Sequence, residues 1–149
     1  MEIDIQTIVS VAAYTGGGLA MGLGAIGAAI GEGYTAAQAN VAVSRDPKNS
    51  GEIFKNMLVG QAVAESASIF ALVIAILLLF MDISDPGIAK AASLLAAGLC
   101  MGFGAIGSGA GAGIPAGRSC LAIACQPAVS GSKSIGSPDG SIVKSIFFV

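Results

Sequence analysis

Charged residues divide this chain into long uncharged runs. Nothing between Ile5 and Gly31 carries a charge, Glu32 stands alone, and the run resumes from Gly33 to Ser44. The polar stretch Arg45-Asp46-Pro47-Lys48-Asn49-Ser50-Gly51 follows, with the proline and glycine that suit a turn. A second apolar run extends from Asn56 to Met81 around a single charge, Glu65, before Asp82-Ile83-Ser84-Asp85-Pro86-Gly87 breaks it. The third extends from Ala91 to Gly117 and, past Arg118, to Ser132. A helix needs about 20 predominantly apolar residues to cross a bilayer core. The pattern predicts helices over about 7–44, 53–80 and 88–124. The expected fold is all-α and membrane-embedded: an antiparallel transmembrane helical hairpin plus a third transmembrane helix.

The first run is longer than the apolar segment of a signal peptide, and the residues before it, Glu2 and Asp4, are acidic. Arg45, Lys48 and Lys55 cluster around the first turn, whereas the N-terminus and 82–85 are acidic. The positive-inside rule then places the 45–51 loop in the cytoplasm and the N-terminus outside.

The third run repeats the first at a spacing of 80. Met21-Gly22-Leu23-Gly24-Ala25-Ile26-Gly27 returns as Met101-Gly102-Phe103-Gly104-Ala105-Ile106-Gly107. The ungapped match of 21–51 onto 101–131 continues through Gly31/Gly111, Gly33/Gly113 and Pro47/Pro127. The third helix is therefore expected to be a second copy of the first, in the same orientation. After Gly131 the match stops, and Lys133, Pro138, Asp139 and Lys144 rule out another span there. A partner for the third helix resembling the second is missing, which suggests truncation or a frameshift near residue 131. The expected organisation is a complete hairpin over 1–81, an incomplete second repeat over 82–131, and a polar, non-matching tail over 132–149.

Each copy contains Gly-x-Gly-x-x-Gly, at Gly22–Gly27 and Gly102–Gly107. As a dinucleotide fingerprint this motif needs a preceding strand and a helix that begins on it. Both copies instead lie well inside membrane-length runs. Close helix packing through small residues four apart, such as Gly18/Gly22 and Gly27/Gly31, is the expected explanation.

Composition closes off other functions. Of 149 residues 54% are hydrophobic and 11% charged, against about 25% charged in soluble domains. The chain has no histidine, so it can hold no Ser-His-Asp or Cys-His nucleophile and no His-ligated metal. Net charge is −2 with no block of like charges, so nucleic acid is not expected as a partner. Cys100, Cys120 and Cys125 form no CxxC pair and are expected as small apolar residues in buried helices.

The strongest chemical signal is the pair Glu32 and Glu65. An ionisable residue within a membrane helix costs about 2.5–3.5 kcal/mol on insertion scales and marks a functional site by default. Each glutamate sits about 16–17 residues from the 45–51 turn, so a hairpin brings both to one depth, roughly 25 Å from the loop at 1.5 Å per residue. Two such carboxylates in low dielectric cannot both be ionised alone. A cation held between them with one shared proton would neutralise the site, and Ser66 offers a hydroxyl beside Glu65. The competing reading is a pair of protonated carboxylic acids that merely join helices. A small channel or transporter is a third reading for carboxylates at such depth.

Gly31-Glu32-Gly33-Tyr34, Arg45-Asp46-Pro47 and Gly60-Gln61-Ala62-Val63-Ala64-Glu65-Ser66 together resemble the c-subunit, the ring-forming proteolipid of rotary F-type ATP synthases, most closely its sodium-coupled branch. The resemblance covers about 10–81 as a complete hairpin and 90–131 as the start of a second. It implies a rotor subunit without a catalytic site or cofactor, in a bacterial cell membrane. Other c-subunits, the stator a-subunit, the central stalk and membrane lipids would be its partners. By the same resemblance Glu65 carries the transported Na+ or H+. Glu32, the Val63 carbonyl and Ser66 would complete a Na+ site, and Arg45, Asp46 and Pro47 would contact the central stalk. The sequence departs from the sodium-type pattern at Ala67 and Phe70, where Thr and Tyr often add hydrogen bonds. In the second copy Ala112 replaces Glu32 and Cys125 replaces Arg45. A truncated, nonfunctional or structural proteolipid is the alternative.

Overall fold

The computed structural model describes residues 4–82 and 86–125. Helix α1 spans Ile5–Arg45, a 3-10 turn spans Pro47–Asn49, α2 spans Ser50–Phe80 and α3 spans Ile88–Cys125. All three helices are long and apolar enough to cross a membrane, and among the described residues there is no strand. What the sequence expects of the 132–149 tail, and of a frameshift near 131, lies outside the described residues.

The hairpin turn is tighter than expected. Pro47 fixes its own φ and opens the 3-10 turn, so α2 begins at Ser50 instead of about 53 and takes in Gly51. The turn is held locally. The Asp46 N–H donates to the Ala42 carbonyl at 3.0 Å, and the Asn49 side-chain amide donates to the Asp46 carboxylate at 2.6 Å. One turn into α2 an exposed Lys55–Glu52 ion pair closes at 2.9 Å.

Residue size sorts the interior from the exterior. The buried stripe of α2 includes Gly60, Ala64, Ser68, Ala71 and Ala75, at helical spacings of three and four. Leu58, Ile69, Phe70, Leu72, Val73, Ile76 and Leu77 of the same helix face outward. Burial of large side chains cannot drive association in lipid, which is itself apolar; close backbone approach through small residues does. Larger buried side chains collect near the two ends, around Val9, Leu78 and Leu94 at one and Ile53, Cys120 and Ile123 at the other.

α1 and α2 are antiparallel. Gly24 meets Ala71, Gly31 meets Ala64 and Thr35 meets Gly60, a constant register along the contact. α1 and α3 are parallel, as the repeat requires. Gly16 nests between Leu94 and Gly98, Gly27 between Ala105 and Gly109, and Gly31 between Gly109 and Gly113. The midpoints of these nests, 96, 107 and 111, are the repeat equivalents of 16, 27 and 31. Equivalent residues of the two copies therefore lie at the same depth.

Of the glycine pairs expected to pack, Gly27 and Gly31 are buried against α3, whereas Gly18 and Gly22 face open space. Of the cysteines, Cys120 is buried; Cys100 and Cys125 are exposed, contrary to expectation, because only one side of α3 is covered by the other two helices.

Candidate functional site

Gly31 on α1 and Ala64 on α2 touch across the hairpin, and Glu32 and Glu65 are the next residues on each helix. By the α1–α2 register Glu32 lies opposite Val63, so the glutamates differ in depth by two residues, about 3 Å. They are not strictly level, because the pairing is centred nearer Pro47 than the middle of the polar stretch. Helical side chains lean towards their own N-terminus. Glu32 thus leans away from the loop and Glu65 towards it, which narrows the gap.

Oxygen donors gather beside Glu65. The Ser66 hydroxyl donates to the Val63 carbonyl at 2.7 Å, placing these two oxygens together one turn along α2. Because the hydroxyl proton is engaged by Val63, the Ser66 lone pairs remain free to face a cation. Glu32 and Val63 are half-buried, while Glu65 and Ser66 are exposed on the outer surface of the three-helix body, next to Ile69 and Phe70. A bare carboxylate at such a surface has neither water nor a counter-charge in lipid, so it is stable there only protonated or neutralised by a cation. Among the described residues no group of three His, Cys, Asp or Glu could hold a metal ion.

Backbone position at this depth is fixed by hydrogen bonds from three further side chains. The Gln61 amide donates across the hairpin to the Glu32 carbonyl at 3.3 Å. Gln61 stands four residues before Glu65, hence on its helical face, which was the available signal. The Thr35 hydroxyl lies 2.8 Å from the Gly31 carbonyl and 3.0 Å from the Gly113 carbonyl, tying α1 to α3 one turn from Glu32. Ser68 donates to the Glu65 carbonyl at 2.8 Å. Nothing in the sequence distinguished Thr35 or Ser68 from other small polar residues. At the same depth α3 presents Gly109-Ala110-Gly111-Ala112-Gly113.

The loop residues Arg45 and Pro47 are exposed and Asp46 is half-buried, at the end of the molecule remote from the N-terminus. Glu32 and Glu65 are thus brought together with Val63 and Ser66, while the loop trio forms a separate surface.

Residues 15–78, which include both glutamates and the turn, match the family model described as the ATP synthase C-subunit. The ATP synthase c-subunit of Natranaerobius thermophilus is 50% identical over 80 residues, covering 54% of this chain and 92% of that protein. That of Dehalococcoides mccartyi is 47% identical over 81 residues, covering 54% of this chain and 99% of its own length. That of Petrotoga mobilis is 47% identical over 66 residues, 44% of this chain and 69% of its own. With a membrane hairpin of matching extent and a glutamate on each of its two helices, the chain belongs to the ATP synthase c-subunit family, whose members are the non-catalytic, ion-translocating ring subunits of that complex.

Proposed function

We propose that this chain is a rotor subunit that carries Na+ on Glu65, with Glu32, the Val63 carbonyl and Ser66 as the remaining ligands, and with H+ as the alternative cargo. The observation that supports it is the convergence of Glu32 and Glu65 beside the Gly31–Ala64 contact, with the Ser66 and Val63 oxygens adjoining. A hard cation takes oxygen ligands. Two carboxylates sharing one proton and one Na+ form a neutral site that lipid tolerates. The H+ alternative draws support from Ala67 and Phe70, which supply no further hydroxyl to a Na+ shell.

In this reading the site loads its ion from one half-channel of the stator a-subunit, turns through lipid while neutral and releases it into the other. The exposed loop of Arg45, Asp46 and Pro47 meets the central stalk on the cytoplasmic side of a bacterial cell membrane. Residues 1–81 form the working hairpin, 82–131 an incomplete second repeat, and 132–149 a tail outside the repeat. The competing reading, a nonfunctional or structural proteolipid, draws on the glycine and alanine that α3 places at the carboxylate depth.

Dicyclohexylcarbodiimide, which attacks protonated membrane carboxylates, distinguishes these. The expected result in assembled complexes is modification at Glu65, slowed by Na+ at near-neutral to alkaline pH, where protons compete less for the site. Labelling indifferent to Na+ would assign H+ as the cargo. Absence of labelling would support the nonfunctional reading.

A further inference from the structure

The two peptide groups that flank the Glu32 Cα are each held by a side chain. The Gly31 carbonyl, whose carbon is bonded to the Glu32 nitrogen, accepts from the Thr35 hydroxyl at 2.8 Å. The Glu32 carbonyl accepts from the Gln61 amide of α2 at 3.3 Å. Backbone orientation at a Cα sets the direction in which its side chain leaves. The restraint falls where α1 most needs it, because Gly31 and Gly33 on either side of Glu32 are poor helix formers.

Thr35 also reaches the third helix. Its hydroxyl lies 3.0 Å from the Gly113 carbonyl, and the residue is 0% exposed. A hydroxyl has one proton, so Thr35 shares it between the Gly31 and Gly113 carbonyls in a three-centre bond. Its methyl group lies against Gly60 of α2. All three helices therefore meet at one buried side chain, one turn from Glu32. α3 can come this close because it has glycine there; a side chain at Gly113 would overlap the Gly31 backbone. With Ala112 at the position equivalent to Glu32, α3 brings a carbonyl to this depth and no charge.

We propose that α3 braces the ion site of the first hairpin, and that Thr35 is the positioning residue through which it acts. The hydroxyl held between the Gly31 and Gly113 carbonyls sets the aim of Glu32 towards Glu65. The inference deepens the rotor reading above and rests on it for Glu32 as an ion ligand. It gives the incomplete repeat a role that needs no second carboxylate. The spacing of ligand oxygens sets the size of the cavity, and cavity size discriminates between ions of different radius. Neither carbonyl depends on Thr35 Oγ for its helical bond, since the backbone N–H groups of Thr35 and Gly117 supply that. Loss of the hydroxyl therefore leaves the helices intact and changes where Glu32 is held.

Two substitutions in the full chain, in membranes, separate the hydroxyl from the rest of the residue. Thr35→Val keeps the shape and removes the hydroxyl; Thr35→Ser keeps the hydroxyl and removes the methyl. Carbodiimide labelling of Glu65 at one fixed pH is titrated with Na+ and, separately, with Li+. Thr35→Val should raise the half-protecting Na+ concentration about tenfold, the low end for loss of a group that orients a metal ligand. It should also change the ratio of the Li+ and Na+ midpoints, while Thr35→Ser matches the parent in both. A Thr35→Val midpoint equal to the parent's overturns the proposal. So does an equal loss for both ions, which marks a contribution to stability alone, and so does a Thr35→Ser as impaired as Thr35→Val. A parent that neither ion protects overturns the Na+ reading together with this one; any of the other three results, with a protected parent, overturns only the brace. The unsubstituted chain gives a measurement that needs no variant to fold. With glycine carbonyl carbons labelled, the Gly31 and Gly113 resonances should both move when Na+ is replaced by Li+, and a Gly113 resonance indifferent to the ion overturns the role of α3.

Discussion

Gly31 and Ala64 touch across the α1–α2 hairpin, with the Ala64 Cβ only 3.2 Å from where a Gly31 side chain would begin. This contact is what makes a pair of Glu32 and Glu65, since each glutamate follows one of its members. A helix offset of one turn, about 5.4 Å, in the direction that widens the existing gap would carry the carboxylates out of shared reach.

The two acids should respond differently to neutralisation. Glu65→Gln should abolish both carbodiimide labelling and ion-coupled ATP synthesis. Glu32→Gln should retain labelling at Glu65 but raise the Na+ concentration needed for half protection. Loss of one charge-assisted ligand is worth about 1.5–3 kcal/mol, which corresponds to roughly 10–150-fold. Titrating Na+ against labelling rate in each variant measures this. An unchanged midpoint in Glu32→Gln would remove Glu32 from the ligand set.

Glycines that look alike in sequence should differ sharply on substitution. Gly31→Val places branched carbons against the Gly109 carbonyl and Ala64, and overpacking of this kind costs about 1–3 kcal/mol. Gly51→Ala lies in the first turn of α2 with nothing within 4 Å, and should stabilise by about 0.4–1 kcal/mol by restricting the unfolded chain. Thermal unfolding in a detergent that keeps the chain monomeric, followed by circular dichroism, compares the two against the parent. Equal transition temperatures for all three would contradict the assigned packing.

A buried polar cluster holds α2 to α3 near the loop end. The Asn56 amide, 1% exposed, bonds to Ser119 Oγ at 2.5 Å and to Cys120 Sγ at 3.3 Å. Asn56→Ala should weaken this contact by about 0.6–2 kcal/mol, the range for polar contacts between membrane helices. The expected sign of weakening is faster alkylation of Cys120, now buried, with no change at Cys100 in the monomeric protein. Unchanged Cys120 reactivity would assign the α2–α3 register to glycine packing alone.

Sequence alone determined the three helices, their repeat and the carboxylate pair. Long uncharged runs leave the backbone one way to satisfy its hydrogen bonds in lipid, and antiparallel arithmetic brings Glu32 near Glu65. It could not tell which glycines are buried. α1 and α3 are apolar almost all round, so no polar face marks the solvent side, and Gly18, Gly22, Gly27 and Gly31 read the same. Only the tertiary structure separated them, because the choice depends on close fit between facing backbones and not on transfer from water. The same fit decided that the repeat copies pack side by side at one depth. It also decided that Thr35 and Gln61 hold the backbone on either side of Glu32.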